Sequence, residues 1–351
     1  VHVKLGLALQ WANPQVRVPV ERVVKAEQLG FDSVWTAEIY GQDAITPLAY
    51  IAAHTKRIRL GTAVIQTAAR TPAATALAMA TVDQLAGGGR VIIGLGLSGP
   101  QIVEGWYGTP WGKPNARLRD YVEIVRKVLR REAPVSHDGP EIQLPYRGPG
   151  SSGLGKPLKS VLHTDPATKI FLGTGQPANV SLTAELADGW LPMGYNPETK
   201  QVFKPWLERG FAKAGSGKGL GRGFEIQGGC QVNVTDDVRG AIDRQKPFIG
   251  LYVGGMGAKS KNFHKEMMKL RGFPEAAERI QELFLAGKKA EAFAAVPDEY
   301  VDQGALIGPP ARIRERFRAW RDLEGLTGLT LHTEQELALE VMAEVAELKP
   351  L

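Results

Sequence analysis

Short apolar runs alternate with amphipathic stretches from one end of this chain to the other, and nothing else in the sequence constrains its fold as strongly. Residues 3–9, 33–36, 59–65, 90–97, 169–172, 189–192, 225–234 and 329–333 read as strands, several of them β-branched and bounded by glycine. Residues 19–29, 45–54, 72–85, 116–131, 178–187, 200–214, 238–251, 310–323 and 334–348 read as helices. Their apolar residues recur three and four apart, as at Val122, Val125 and Leu129. Such alternation implies parallel strands joined by right-handed crossovers. Eight strand units favour closure into a (β/α)8 TIM barrel over an open sheet. The 351 residues suit one such barrel, so a single domain over 1–351 is expected.

Two segments break the rhythm and read as insertions on the barrel. Residues 133–168 are rich in glycine and proline around Gly148-Pro149-Gly150, and form either a lid or a plain connector. Residues 252–309 carry extra helix-like pieces. Neither is expected to hold enough apolar residues to fold alone.

In a barrel of this kind the chemistry belongs at the C-terminal ends of the strands. Three loops there stand out. Gly94-Leu95-Gly96-Leu97-Ser98-Gly99-Pro100 allows close approach of backbone to a ligand, or is a structural turn. Leu172-Gly173-Thr174-Gly175-Gln176-Pro177 ends a strand, turns, and opens a helix with proline; that geometry makes an anion site, phosphate above all, or an ordinary turn. Trp35-Thr36-Ala37-Glu38-Ile39-Tyr40 puts a carboxylate at a strand end, as a catalytic group or an exposed loop acid. Trp11, Trp35, Tyr40, Trp106, Tyr107, Trp111 and Trp190 gather near strand ends, where several at one mouth would suit a flat conjugated ring.

The other signals mostly exclude. A net charge of +6 with dispersed basic residues argues for a solvated surface or a mild attraction to an anionic ligand, not for nucleic-acid binding. The one cysteine, Cys230, permits no internal disulfide. The six histidines are scattered, without metal-ligand spacing. No G-x-S-x-G elbow and no Walker-type loop is present. Without a signal peptide or an apolar run of 18 residues, a cytoplasmic location is expected.

Arg70-Thr71-Pro72 through Thr81-Val82-Asp83-Gln84-Leu85, Gly89-Arg90-Val91-Ile92-Ile93-Gly94, Gly30-Phe31-Asp32-Ser33-Val34-Trp35 and Ala187-Asp188-Gly189-Trp190 together resemble the bacterial-luciferase-like superfamily, whose members bind FMN or the deazaflavin coenzyme F420. Leu95 to Gln101 with Glu104-Gly105-Trp106-Tyr107-Gly108 resembles its F420-dependent actinobacterial branch. The resemblance implies hydride transfer between F420 and a small organic substrate. Its alternatives are an FMN-dependent monooxygenase with a separate reductase and a non-catalytic flavin-binding protein. It implies a non-prolyl cis peptide at Ala63–Val64 with Gln66 in the same loop, and a cofactor lined by Leu97, Ser98 and Ile102. Gly173, Thr174, Gly175, Gln176 and Asn179 would hold the phosphate. Glu38 takes the place of a ring-contacting acid, and Glu38, Tyr40 or a substrate-bound water would be the catalytic acid, because Ile39 stands where many F420 members have histidine. A homodimer is a further implication of the resemblance.

Overall fold

A computed structural model describes residues 3–9, 14–215, 217–256 and 262–350. Strands β1 (Lys4–Ala8), β2 (Ser33–Thr36) and β3 (Arg59–Thr62) pair in parallel, and β4 (Ile65–Gln66) resumes the third strand after a two-residue interruption. Then come β5 (Val91–Gly96), an antiparallel hairpin of β6 (His137–Asp138) and β7 (Gln143–Leu144), β8 (Lys169–Thr174), β9 (Gly189–Pro192) and β10 (Glu225–Val234). Strands β11 (Ala305–Gly308) and β12 (Leu326–His332) complete the set. Parallel pairing runs β12-β1-β2-β3-β5-β8-β9-β10 and returns from β10 to β12, so eight strands close a ring. The TIM barrel expected from the strand–helix rhythm is therefore the fold. The sequence reading had no β11: it pairs only with the outer end of β10, Gln231–Val234, where β10 has run past β9.

The barrel closes tightly because glycines face large side chains across neighbouring strands. A Cβ on Gly61 would lie 2.3 Å from the Trp35 ring, and one on Gly189 would lie 2.5 Å from Phe171. Trp35 and Phe171 stack at 6.0 Å and, with Ile92 and Leu191, fill the barrel interior below its mouth. The main core lies outside the ring, between strands and helices. At the opposite end, Asp83 accepts from the N–H groups of Gly89, Arg90 and Val91, and Arg90 bonds Thr55 and Ile58. These bonds tie the helix Pro72–Leu85 to the start of β5.

The two insertions lie at opposite ends. Residues 133–168 follow a helix and precede a strand, which places them at the N-terminal face of the barrel. None of them lines the cavity described below, so of the two readings of the glycine-rich loop the placement favours a connector over a lid. Of the second insertion, residues 252–256 and 262–309 lie between β10 and the helix Pro310–Arg321, on the C-terminal face. With the helix Val238–Gly255 they bury an apolar cluster of their own, including Val253, Met268, Ile280, Leu283 and Val296. This insertion is thus richer in buried apolar residues than expected. No described helix is long and apolar enough to cross a membrane, and no group of metal ligands occurs among the described residues.

Candidate active site

Every strand of the ring ends on one cavity of about 1390 Å³ at the C-terminal face. Ala8 and Leu9, Thr36 and Ala37, Ala63 and Val64, Gly96 and Leu97, Gly173 and Thr174, Leu191 and Pro192, Gln231 and Val232, and His332 and Thr333 all reach it. Trp35 contributes to its floor, capped by its own bond from Nε1 to Ser33 Oγ at 2.9 Å.

The interruption between β3 and β4 is the Ala63–Val64 peptide, and it is cis. Ala63 donates to Thr36 O at 2.6 Å, and Val64 O accepts from Glu38 N at 3.4 Å. The Val64 side chain then lies across the ends of β5 and β8. A Cβ on Gly96 would come within 2.3 Å of a Val64 methyl, and one on Gly173 within 2.7 Å. Glycine is needed at both positions for the valine to occupy the cavity wall.

Glu38 does not face the cavity. Its carboxylate is 4% exposed and accepts from Arg70 Nη1 at 2.6 and 2.8 Å, from Ala44 N at 3.0 Å and from Gln66 N at 3.2 Å. Gln66 in turn donates from Nε2 to Glu38 O at 2.8 Å. Burial works to lower the Arg70 pKa, but the bonds to Glu38 outweigh it and raise it. Glu38 and Gln66 therefore brace the bulge from behind. Tyr40, half exposed, also stays off the wall. The expected roles of Glu38 and Tyr40 as catalytic acids, of Glu38 as a ring contact and of Gln66 as a cofactor-binding residue do not fit this placement.

Around the rim from Val64 lies the turn expected to hold a phosphate. Gly173, Thr174, Gly175, Gln176 and Asn179 all line the cavity. Trp190 Nε1 donates to Thr174 O at 2.9 Å, Thr174 Oγ1 pairs with Thr183 Oγ1 at 2.7 Å, and Asn179 Oδ1 accepts from Gln176 N at 2.8 Å. These bonds fix the turn into the helix Pro177–Leu186, at whose start Pro177 has no N–H and the Asn179 N–H is taken by the Gln176 side chain, so the Ala178 N–H is left without an intrahelical acceptor at the positive end of the helix. Gln176 Nε2 is a buried donor with no partner in the protein. Leu97, Ser98 and Ile102 line the same cavity, Ser98 in a left-handed conformation at φ 59°.

Of the aromatic residues expected at the mouth, Trp35 and Trp111 line the cavity. Trp190 is core beneath the turn expected to hold a phosphate, Trp106 is exposed, and Tyr107 bonds Ile39 O from off the wall. Trp11 lies outside the described residues. The sequence reading missed the wall supplied by the helix Val238–Gly255 and the insertion after it: Phe248, Tyr252, Met256, Phe263 and His264. Phe248 and Tyr252 are four apart on one helix face, a signal the sequence does contain. His264 packs edge-on to Tyr252 at 4.7 Å, and burial pushes its pKa down to about 4.

The profile of the luciferase-like monooxygenase family matches residues 4–326. The chain belongs to that family. A protein of Mycobacterium tuberculosis described as a coenzyme F420-dependent oxidoreductase is 46% identical over 320 residues, spanning 91% of this chain and 92% of its own. Two solved luciferase-like folds superpose along nearly the whole length. The coenzyme F420-dependent tetrahydromethanopterin reductase of Methanopyrus kandleri is 22% identical, with a TM-score of 0.79 over 99% of this chain and 100% of its own. An F420-dependent secondary alcohol dehydrogenase, solved with an F420–acetone adduct, is 18% identical, with a TM-score of 0.73 over 98% of each chain. At those identities the likeness is one of fold.

A flat heteroaromatic cofactor with a phosphate fits what this luciferase-like barrel presents. The orphan donor of Gln176 and the helix terminus suit a phosphate, and the Val64 bulge beside Leu97 offers an apolar face to a ring.

Proposed function

We propose that the chain is an oxidoreductase that uses coenzyme F420 to exchange a hydride with a small organic substrate. The observation that carries this reading is one cavity joining a helix-terminal anion pole to an apolar ring platform, in a chain 46% identical to a protein described as F420-dependent. When bound, the deazaflavin supplies the carbon that gives or takes the hydride. The backbone from Gly173 to Gln176, with Asn179, holds the phosphate. Ala63, Val64, Leu97, Ser98 and Ile102 line the ring, while Glu38, Gln66 and Arg70 keep the bulge in place behind it. Ile39, Leu191, Phe248 and Phe263 keep water from the reacting atoms. The protein acts in the cytoplasm as a homodimer; a buried lone cysteine, Cys230, suits a reducing compartment.

Fluorescence titration of the purified protein tests the cofactor. F420 should bind saturably with a micromolar or tighter Kd, and FMN at least about tenfold more weakly, a gap of about 1.4 kcal/mol. Binding of FMN in preference to F420 would turn the reading to a monooxygenase fed by a reductase. Binding of neither would end it.

A further inference from the structure

Among the described residues, the large apolar side chains most exposed to solvent are Val161 at 91%, Leu154 at 86% and Leu158 at 70%. All three fall in one short segment of the first insertion, residues 154–161. Exposed apolar residues scattered singly over a surface are ordinary, but three so close together mark a contact surface. Every residue from 149 to 159 is exposed, and Lys156 and Lys159 are interleaved with the apolar ones. From 142 to 164 the chain holds the cations Arg147, Lys156 and Lys159 and no aspartate or glutamate. None of those cations is in an ion pair among the described residues.

The segment is tied down on both sides. Val135 N donates to Leu158 O at 2.8 Å, Arg131 Nε to Ser160 O at 2.9 Å and Gln84 Nε2 to His163 O at 2.6 Å. Ahead of it, Ser151 Oγ donates to Tyr146 O at 3.1 Å and Tyr146 Oη to Pro149 O at 3.0 Å. These bonds hold the strip against the ends of the helices Pro72–Leu85 and Pro114–Arg130, at the N-terminal face of the barrel. Its apolar side chains are left outside the core.

We propose that residues 154–161 dock the protein on an anionic lipid surface. Shape and charge both favour that occupant. The apolar side chains protrude singly, and a fluid headgroup layer accepts protruding side chains without a matching pocket. The unpaired lysines add attraction to acidic headgroups. A second copy of the strip would instead bring cation against cation across a two-fold axis. On the surface, Leu154, Leu158 and Val161 enter the boundary between headgroups and acyl chains. Lys156 and Lys159 stay among the phosphates, with their stems along the apolar layer. No membrane-spanning helix is involved. The cavity opens at the opposite, C-terminal face, so its mouth is turned to water, and cofactor and substrate reach it from the aqueous side. The docking is independent of which cofactor the cavity takes.

Cosedimentation of the purified protein with vesicles tests it, using phosphatidylglycerol and phosphatidylcholine in equal parts, with pure phosphatidylcholine as the neutral arm. Wild type should pellet with the mixed vesicles and not with the neutral ones, and NaCl at about 0.5 M should release most of it. Leu154→Ser with Val161→Ser should weaken the partition at least about tenfold, because two apolar side chains leave the interface. Lys156→Glu with Lys159→Glu should weaken it at least about 25-fold, at about fivefold for each cation lost. All four positions are exposed, so both variants should keep the wild-type denaturation midpoint. Ser152→Cys can carry a single environment-sensitive dye, because Cys230 is buried, and its emission should shift to the blue on the mixed vesicles alone. Absence of binding to the mixed vesicles, equal binding to the neutral ones, or binding that survives both double variants would overturn the proposal. So would binding of soluble poly-L-glutamate as tight as that of the vesicles, which would assign the strip to an acidic polypeptide. Dissociation of a wild-type oligomer by Leu154→Ser with Val161→Ser would overturn it too, in favour of a second copy of the chain.

Discussion

Replacing Gly94 with alanine should leave almost no folded protein. Gly94 is in the middle of β5, and its Cα hydrogen points at the neighbouring strand. A Cβ there would lie 1.7 Å from the carbonyl oxygen of Thr62. The obstacle is backbone, and it cannot rotate aside as a side chain would. Thr62 is locked in turn, its Oγ1 donating to Gly94 O at 2.9 Å and accepting from Gly94 N at 2.8 Å. Ordinary overpacking costs about 1–3 kcal/mol. Here the only relief is to push neighbouring strands of a closed ring away from each other, so the loss should exceed about 3 kcal/mol, a large share of the stability of a typical domain. Soluble yield and the urea midpoint measure it. A variant that folds with a wild-type midpoint would mean that the third and fifth strands do not approach this closely.

The second large effect is at Arg70. Its guanidinium is the ionic partner of a Glu38 carboxylate that is 4% exposed. Removing one member of a buried pair costs about 3–5 kcal/mol, because the other charge is left stranded. Arg70 itself is 26% exposed, so water would reach some of the site and the expected loss for Arg70→Met is nearer about 2–3 kcal/mol. The double variant Glu38→Gln with Arg70→Met should recover much of that loss, since no charge remains to be stranded. F420 affinity should fall in the single variant as well, because Glu38 holds Gln66 N and Gln66 holds Glu38 O behind the Val64 bulge. Denaturation midpoints and cofactor titration on the same three proteins separate the two effects. Equal stability of Arg70→Met and wild type would show that the carboxylate does not depend on the arginine.

The strand rhythm was legible because most residues of the ring strands are buried on both faces of the sheet, and such strands leave short apolar runs in the sequence. Strand β11 was not, although Ala305-Leu306-Ile307-Gly308 is an apolar run between glycines; its partner is only the far end of β10, and no sequence rhythm announces a ninth position. The motifs that carry the family resemblance prove to be largely scaffold. Asp83 and Arg90 tie a helix to β5. Asp188 accepts from Ile170 N at 2.8 Å and from Arg126 at 3.0 Å. Asp32 pairs with Arg59 at 2.5 Å. That the residues proposed for the phosphate would line one cavity was legible for a local reason: they lie within seven consecutive residues, 173–179. Glu38 misled because its partner Arg70 is 32 positions away, and a strand-end acid looks alike whether it faces the cavity or the brace.

The placement of the cofactor is the centre of this reading, and a crystal structure of the F420 complex tests it most directly. The phosphate density should lie at the turn Gly173–Gln176 within hydrogen-bond distance of its backbone N–H groups and of Gln176 Nε2, with one face of the deazaflavin against Val64 and His332 across the cavity. A phosphate bound elsewhere on the rim, or a ring that leaves Val64 uncovered, would contradict it.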